Sequence, residues 1–493
     1  MKQPPCISLS RCGVAVGALL LTCSQQGSPP AQAAAFSPST FGIKSIPRHV
    51  RVPIFLSAAG VDNGADVDDR SVRHREFRDW CDSVGILAPN LEHAPTDGGI
   101  PGLTVRPGTS LNAGEAAIVL PLDATLAVLA GDGDDGADSS VRSRAGSVLS
   151  DELWSEAPMG LRLASRLLHE RSLGGSSRWH GYILHGLPPV SGPGRERCDA
   201  LGRWTDAELS LLRSPALKRK AEDRRRTDEE WFRRLTEDRS AAAPSACFTR
   251  EEFDWAMDVV RTRHFRGDFA PGLRHGAEER KDDYALLPFV DDLNHRPEIS
   301  KNFRPKSSNE SLGIDYSPQF VTVSEALNRT SKAICWVAHR PFQDGEEVAL
   351  MYLTGTGAIA EAFLDEWGFV LSANEMNACA VYVGGIRCIV RRDGSFYEED
   401  SMMDVIEAEV QQHFNSDEED GKAKATGNSW RLVAKACYNE FLLFEGCAKD
   451  ISVLSYEETA SPSRHNIANM FVEGKQRLLY AGLQHALLRA DEE

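Results

Sequence analysis

The sequence predicts an α+β fold in which two regions of short strands flank a helical insertion and are followed by a mainly helical tail. Short apolar segments bounded by turn residues occur before residue 121 and again from residue 284 onward. Between them, over residues 150–260, apolar side chains recur at helical spacing, and that spacing returns after residue 430. Strand and helix patterns segregated along one chain in this way indicate an α+β architecture.

The composition limits the classes of partner. The chain has 493 residues, an apolar fraction of 42% and a formal net charge of −17, which is long enough for two or three domains. Contact with nucleic acid needs a concentrated positive surface, so we expect no nucleic-acid partner. The charge says less about protein partners, since an acidic surface would equally suit a basic loop or tail. We separately expect a monomer.

The eleven cysteines are scattered and include no C-x-x-C pair. Zinc sites and disulfide frameworks usually have closely paired cysteines. We therefore predict buried, reduced thiols and no metal site.

Residues 1–35 have the features of a secretory signal peptide. Lys2 and Arg11 precede an apolar run from Gly13 to Cys23, which is too short to span a bilayer, and small residues follow it. No later stretch is apolar enough for a transmembrane helix, so we expect no membrane anchor in the mature chain.

A second targeting segment and a linker are predicted over residues 36–72. From Phe36 to Leu56 the chain has basic residues and no acidic one. The Ala-Phe-x-Pro junction that opens this segment resembles the bipartite presequences of algae whose plastids lie inside membranes derived from the endoplasmic reticulum. We therefore expect a plastid location. Secretion is the alternative, and the N-x-[ST] triplets at Asn309 and Asn328 are compatible with it.

The elements follow in order. Folded structure is predicted to begin near Phe77, with a turn at Gly98–Gly102 and strands at Leu103–Val105 and Ala117–Leu120. In the helical insertion, one predicted face carries Leu161, Ala164 and Leu168, another carries Phe253, Ala256 and Val260, and residues 224–234 between them are predicted as a solvated helix.

Strands return from Tyr284, and the tail then becomes helical. Gly384-Gly385 between two apolar segments predicts a two-residue hairpin. Residues 416–420 are predicted as an acidic loop. After it, two apolar stripes predict helices; they comprise Val433, Cys437, Phe441 and Phe444, then Ile467, Phe471 and Leu478.

Three segments have the residue types of a cofactor and acceptor site. They are Thr262-Arg263-His264-Phe265 at a helix end, Leu286 to His295 with the sequence LPFVDDLNH after its first leucine, and Gly345 to Tyr352 followed by Trp367-Gly368-Phe369-Val370. Each segment alone is short enough to arise by chance. Their combination and order are specific.

In this order the segments resemble the SET-domain methyltransferases of the Rubisco large-subunit lysine methyltransferase type, a family that also includes the actin-histidine methyltransferase. The resemblance runs from about Phe77 to Leu483. It implies a SET-domain pseudoknotted β-core over residues 73–370, with a helical insertion at about 150–260, and a mainly α-helical substrate-binding domain over 371–493. Further matches are Gly99 to Leu103, Ser176 to Trp179, Phe253 to Ala256, and the tail segments Ser463-Arg464 and Glu473 to Arg477.

The resemblance implies S-adenosyl-L-methionine as the cofactor. Asn294 and His295 match residues that contact it in the family, and Arg263 matches the arginine that pairs with its carboxylate, for which a guanidinium has suitable geometry. The turn that includes Gly99, Ile100 and Pro101 matches backbone that the family presents to the same cofactor.

On the acceptor side, Tyr352 matches the active-site tyrosine of the family, whose hydroxyl orients the acceptor amine and stabilises developing charge. Asp291 matches a residue at the edge of the acceptor channel, and Trp367 stands where the Rubisco-type enzyme has a tyrosine that contacts the amine. An acceptor lysine would lose its proton to water in an apolar channel, because desolvation lowers the pKa of an amine.

The resemblance therefore implies a protein-lysine N-methyltransferase acting on a non-histone protein. The sequence departs from the family after Tyr352, where Leu353 replaces the usual glycine, residues 354–358 add two positions, and the asparagine that helps to knot the core has no clear equivalent. Trp367 lacks the hydroxyl of the tyrosine it replaces. Two alternatives follow: a protein-histidine N-methyltransferase, and a catalytically weak SET-fold module that binds a protein.

Overall fold

The computed structural model describes residues 64–96, 101–129, 147–237, 248–267, 283–295, 316–323, 331–338, 340–350, 352, 359–371, 376, 378–414, 419–444 and 462–492, all within the compact unit Leu56–Glu493. The predictions for residues 1–63, which cover the signal segment and most of the transit segment, lie outside these described residues. So do Gly99 and Ile100.

The first helix starts earlier than we predicted. Helix α1 spans Gly64–Val84 and includes the last part of the stretch predicted as linker. Phe77 and Cys81, one turn apart, are both 1% exposed, so burial of this face stabilises the whole helix.

The strands form three sheets and a hairpin. They are β1 Leu91–Pro95, β2 Pro101–Val105, β3 Ala116–Pro121, β4 Leu126–Val128, β5 His264–Gly267, β6 Asp283–Leu286, β7 Asn294–His295, β8 Tyr316–Val323, β9 Ser331–Ala338, β10 Glu347–Leu350, β11 Ala378–Val383 and β12 Ile386–Arg391. The sheet orders are β1-β2-β10-β7, β3-β9-β8 and β4-β6-β5.

The four-stranded sheet brings together three stretches that are far apart in sequence. Strand β10 pairs antiparallel with β2, where Val348 lies opposite Leu103. On its other side β10 runs parallel to β7, with Ala349 opposite Asn294 and Leu350 opposite His295. The Asn-His pair therefore lies at the edge of the sheet, beside the strand that leads into Tyr352.

The insertion is helical, as predicted. Its helices are α2 Asp151–Glu156, α3 Met159–Ser172, α4 Asp206–Leu211, α5 Pro215–Glu237 and α6 Arg250–Arg263. The predicted face of α6 is buried, and a capping box between Thr249 and Glu252 begins the helix. Over the predicted range 224–234, helix α5 is mostly solvated, except that Asp228 is 1% exposed and accepts hydrogen bonds from Arg203 and Arg261.

The tail contains the predicted hairpin and helices. Gly384 and Gly385, with φ of 57° and 93°, form the turn between β11 and β12, which is the backbone conformation that a two-residue hairpin loop needs. The helices are α7 Ala360–Trp367, α8 Glu399–Phe414, α9 Glu419–Phe444 and α10 Pro462–Glu492. Helix α9 begins inside the stretch predicted as an acidic loop.

The described residues contain two large apolar cores. The second core includes residues on both sides of the predicted domain boundary at residue 370. The first contains the strands of the β-core with α1, α3 and α6. The second contains the tail, but also Leu201, Trp204 and Leu217 of the insertion and Leu364 of α7. The insertion and α7 are thus structural neighbours of the tail. None of the helices in the described part of the chain is long and apolar enough to cross a bilayer.

Candidate active site

Tyr352 lies directly against the edge strand β7. Its backbone N–H donates a hydrogen bond to Nδ1 of His295 at 3.1 Å, and its phenol donates to the carbonyl of Leu293 at 2.6 Å. The rings of Tyr352 and His295 are 5.3 Å apart. The structure therefore brings the predicted tyrosine and the predicted Asn-His pair to one place.

Asn294 joins three strands. Its amide donates hydrogen bonds to the carbonyl of Pro101 at 3.2 Å and to Glu347 Oε1 at 2.9 Å. Gly102 permits this approach, because a Cβ there would lie 2.5 Å from Asn294 Nδ2 and 2.7 Å from Thr96 Cγ2. A residue with a side chain at position 102 would displace the asparagine.

His295 is neutral at physiological pH. Burial lowers its pKa to about 4. Because Nδ1 accepts the hydrogen bond from the backbone of Tyr352, the ring proton belongs on Nε2. Phe363 of α7 packs against the ring at a centroid distance of 4.6 Å, so the orientation of the imidazole is set on both sides.

A cluster of aromatic rings surrounds the phenol of Tyr352. Trp367 lies 5.3 Å and Phe369 6.1 Å from its ring, measured between centroids. Tyr352, Trp367 and Phe369 are each partly exposed, whereas Phe363 behind them is buried. Burial raises the pKa of Tyr352 above its usual value, so the phenol keeps its proton at neutral pH. Ring faces open to solvent around a neutral phenol can receive a cationic or amine-bearing group.

The side chain of Asp291, which was predicted to contact a substrate, has 0% exposure, and the substrate contact stays a prediction. Tyr182 donates a hydrogen bond to Asp291 Oδ2 at 2.6 Å, while Oδ1 is buried without a hydrogen-bond partner. Burial raises the pKa of this carboxyl to about 7, although the charge of Arg263 opposes the shift.

Arg263 contacts acidic residues of its own chain. Its Nη1 donates to the carbonyl of Asp291 at 3.0 Å and to Asp292 Oδ1 at 3.1 Å, and its side chain is 9% exposed. A guanidinium in these contacts holds the turn Val290–Asp292 just before the Asn-His strand. Its Nε is buried and has no hydrogen-bond partner. Pairing of Arg263 with a cofactor carboxylate stays a prediction.

Sequence reasoning missed His93, Tyr182 and Asp292. His93 Nε2 lies 3.1 Å from Asp292 Oδ2. Burial disfavours the charged form of Asp292, but the hydrogen bond from His93 and the charge of Arg263 outweigh it and hold the pKa well below its usual range. The partners are separated by 199 residues for His93 and Asp292 and by 109 for Tyr182 and Asp291, so no local pattern could have revealed them.

The altered loop after Tyr352 lies outside the described residues, but the helix that follows is described. Helix α7 has Ile359 at its N-cap, which provides no side-chain hydrogen bond. Within the part of the chain that the structure describes, no group of three or more His, Cys, Asp or Glu side chains is arranged to hold a metal ion.

Comparison with solved structures identifies the fold. The chain is similar to the crystal structure of the SET domain of LSMT bound to lysine and AdoHcy, with a TM-score of 0.55, 15% identity, and coverage of 86% of this chain and 93% of that one. It is also similar to the structure of Rubisco LSMT bound to AdoMet, with a TM-score of 0.52, 14% identity, and coverage of 85% and 93%.

By sequence comparison, no protein-family model matches the chain, and no curated protein matches it. The fold is recognised through its three-dimensional arrangement over most of both chains, which confirms the α+β prediction. The chain has the SET-domain fold of the Rubisco LSMT type.

Proposed function

We propose that the protein is an S-adenosylmethionine-dependent protein-lysine N-methyltransferase that acts on a non-histone protein. The observation that carries the proposal is the position of Tyr352, whose phenol lies at the edge strand Asn294–His295 inside a partly open aromatic cluster. One solved structure of the same fold contains AdoHcy and lysine, and another contains AdoMet. These ligands support a cofactor site and a lysine site in this protein.

The residues at the sheet edge fit such a cofactor. Strand β7 pairs with β10 on one side and is the last strand of its sheet, so the outer backbone groups of Asn294 and His295 have no strand partner among the described residues. An edge of this kind offers donors and acceptors to a polar ligand. We therefore assign cofactor contacts to these two residues, to the turn that includes Pro101 and to Arg263. When bound, S-adenosylmethionine supplies an electrophilic methyl group.

The acceptor side follows from the hydrogen bond that Tyr352 already makes. Because the phenol donates its proton to Leu293, its oxygen retains lone pairs that can accept a hydrogen bond from an acceptor amine. Such a bond orients the nitrogen lone pair toward the transferring carbon. The ring faces of Trp367 and Phe369 can receive the lysine as an ammonium ion. Once the bound acceptor covers these rings, desolvation favours the uncharged amine, so no side-chain base is needed and the amine proton passes to water.

The experiment uses the purified full chain, radiolabelled S-adenosylmethionine and a plastid protein extract. The wild type should label a protein band, Tyr352→Phe should lower the rate by about 100-fold, and Tyr480→Phe, which removes a phenol hydroxyl from the tail helix α10, should behave like the wild type. Absence of labelling with folded wild-type protein that binds the cofactor would favour the binding-module alternative. Mass spectrometry of the modified residue distinguishes lysine from histidine.

A plastid location remains part of the proposal and is supported only by the two-part N-terminal composition. Residues 1–72 fused to a fluorescent protein should direct it to plastids. Fluorescence in the secretory pathway would instead support the secreted alternative.

A further inference from the structure

We propose that Lys475 is a positioning residue through which the helical tail sets the aromatic wall beside Tyr352. The proposal rests on the proposed function, because that function assigns the aromatic wall to binding of the acceptor lysine. It concerns helix α7, which carries Phe363 and Trp367 and is the only described element of the aromatic cluster that also belongs to the core of the tail.

The apolar face of helix α7 contacts both the core of the tail and the candidate site. Ala360 and Leu364 are buried in the core formed by the tail. Phe363 and Trp367 lie on the adjoining part of the same face, with ring contacts to His295 at 4.6 Å and to Tyr352 at 5.3 Å. A shift of the helix in the tail core therefore moves the rings at the candidate site.

Lys475 of α10 holds the first turn of α7. Its Nζ lies 2.8 Å from Glu361 Oε1 and 2.5 Å from Glu440 Oε1 of α9, and the residue is 2% exposed. The rings of Phe444 and Phe471 lie 5.4 Å and 5.9 Å from the same nitrogen. One buried ammonium thus connects α10, α9 and α7. An ion pair in such surroundings is strongly orienting, because either charge left alone would be buried without a partner.

The last turn of α7 is held from the insertion. Asp365 pairs with Lys220 at 2.8 Å and with Arg224 at 2.9 Å, both on α5. Gly368 ends the helix with φ of 74°, and a Cβ there would lie 2.4 Å from the carbonyl oxygen of Asp199. With one end held by the insertion, the contact at Lys475 decides the tilt and position of the other end.

A general role in stabilising the tail is the competing explanation for a buried lysine. The two explanations differ in where the effect appears. A purely stabilising contact would weaken the whole protein evenly, whereas a positioning contact should act on α7 and the lysine site and spare the cofactor side at β7. His485, which pairs with Glu399 at 3.0 Å inside the tail, supplies the matched control.

The test compares the full-length wild type, Lys475→Met, Lys475→Met combined with Glu361→Gln, and His485→Gln. The double variant removes one of the two carboxylates that the single variant leaves without their lysine, so it is the variant to measure if the single variant does not fold. Hydrogen exchange of residues 359–371 measures the order of α7. Calorimetry measures binding of AdoHcy and, with AdoHcy present, of free lysine.

We expect exchange in α7 to rise by about tenfold in either Lys475 variant, lysine affinity to fall by about tenfold, and AdoHcy affinity to stay within twofold. His485→Gln should leave α7 unchanged. The proposal is overturned if a folded Lys475 variant exchanges α7 like the wild type, or if His485→Gln loosens α7 equally. Failure of the wild type to bind lysine would refute the proposed function instead, while the exchange measurement would still decide the role of Lys475.

Discussion

The phenol of Tyr352 donates a hydrogen bond of 2.6 Å to the backbone carbonyl of Leu293, although the two residues are 59 positions apart. Leu293 immediately precedes the edge strand Asn294–His295. The contact therefore links Tyr352, which follows strand β10, to the segment assigned to the cofactor. Chemistry at the tyrosine and geometry at the Asn-His pair are consequently coupled through this bond and through the backbone bond from Tyr352 to His295, and variants on either side should reveal the coupling.

Asn294→Ala should weaken AdoHcy binding by at least about tenfold and destabilise the protein by about 1–3 kcal/mol. The substitution removes both donors that hold the Pro101 carbonyl and Glu347. Calorimetry measures the first effect and urea unfolding the second. Unchanged AdoHcy affinity in the folded variant would contradict the assignment of Asn294 to the cofactor.

Gly102→Ala should cost about 1–3 kcal/mol through overpacking and should also lower AdoHcy affinity, because the new Cβ would clash with Asn294 Nδ2. Gly175→Ala is the matched control, since a Cβ there meets nothing within 4 Å. Its free energy of unfolding should stay within about 0.5 kcal/mol of the wild type. If the two variants had the same free energy of unfolding and the same AdoHcy affinity, the close approach of Asn294 to Gly102 would not limit the residue type at position 102.

The buried carboxyl of Asp291 should make stability depend on pH. Its folded pKa of about 7 lies above the ordinary value near 3.9. Between about pH 4 and 7 the folded state therefore binds the extra proton, and this group's contribution to stability decreases as pH rises, by at most about 1.4 kcal/mol per pH unit.

Asp291→Asn should remove that contribution while keeping an oxygen acceptor for Tyr182. The difference in unfolding free energy between the variant and the wild type should shift in favour of the variant from pH 4 to 7 and then level off. Urea unfolding across this range measures it. A constant difference for Asp291→Asn would contradict the expected titration.

Trp367→Leu should reduce the affinity for free lysine, measured with AdoHcy present, by the equivalent of about 0.5–2 kcal/mol, which is the range for loss of a cation–π contact. AdoHcy affinity should change little, since the described ring contacts of Trp367 are with Tyr352 and Phe363. Trp231→Leu removes a comparable ring from the insertion, where it stacks with Arg234, and serves as the control. A parallel loss in both variants would indicate a general effect on folding.

Much of the fold was predictable because it depends on short-range patterns. The buried face of α6 follows from apolar residues at helical spacing. The hairpin at Gly384-Gly385 follows from the need for positive φ at both turn positions. The start of α1 was placed too late because an acidic stretch is as compatible with a solvated helix start as with a linker.

The candidate site likewise has features that the sequence predicted and features that it did not. Tyr352, Asn294 and His295 were chosen by resemblance to short motifs, and their mutual contact depends on the pairing of β10 with β7. Asp291 was assigned to a substrate because its neighbours in sequence belong to that motif, yet its side chain is buried against Tyr182. Adjacent residues on a tight turn point in different directions, so motif membership does not determine exposure.

The sequence by itself determined the order of strands and helices, the turn positions and the residue types available for chemistry, because these depend on spacing and backbone preference within a few residues. Only the tertiary structure decided which charges are buried together, as at Arg263 with Asp291 and Asp292, and that α7 joins the tail core to the aromatic cluster. Such contacts depend on desolvation and on distances between residues far apart in the chain, which no local pattern encodes.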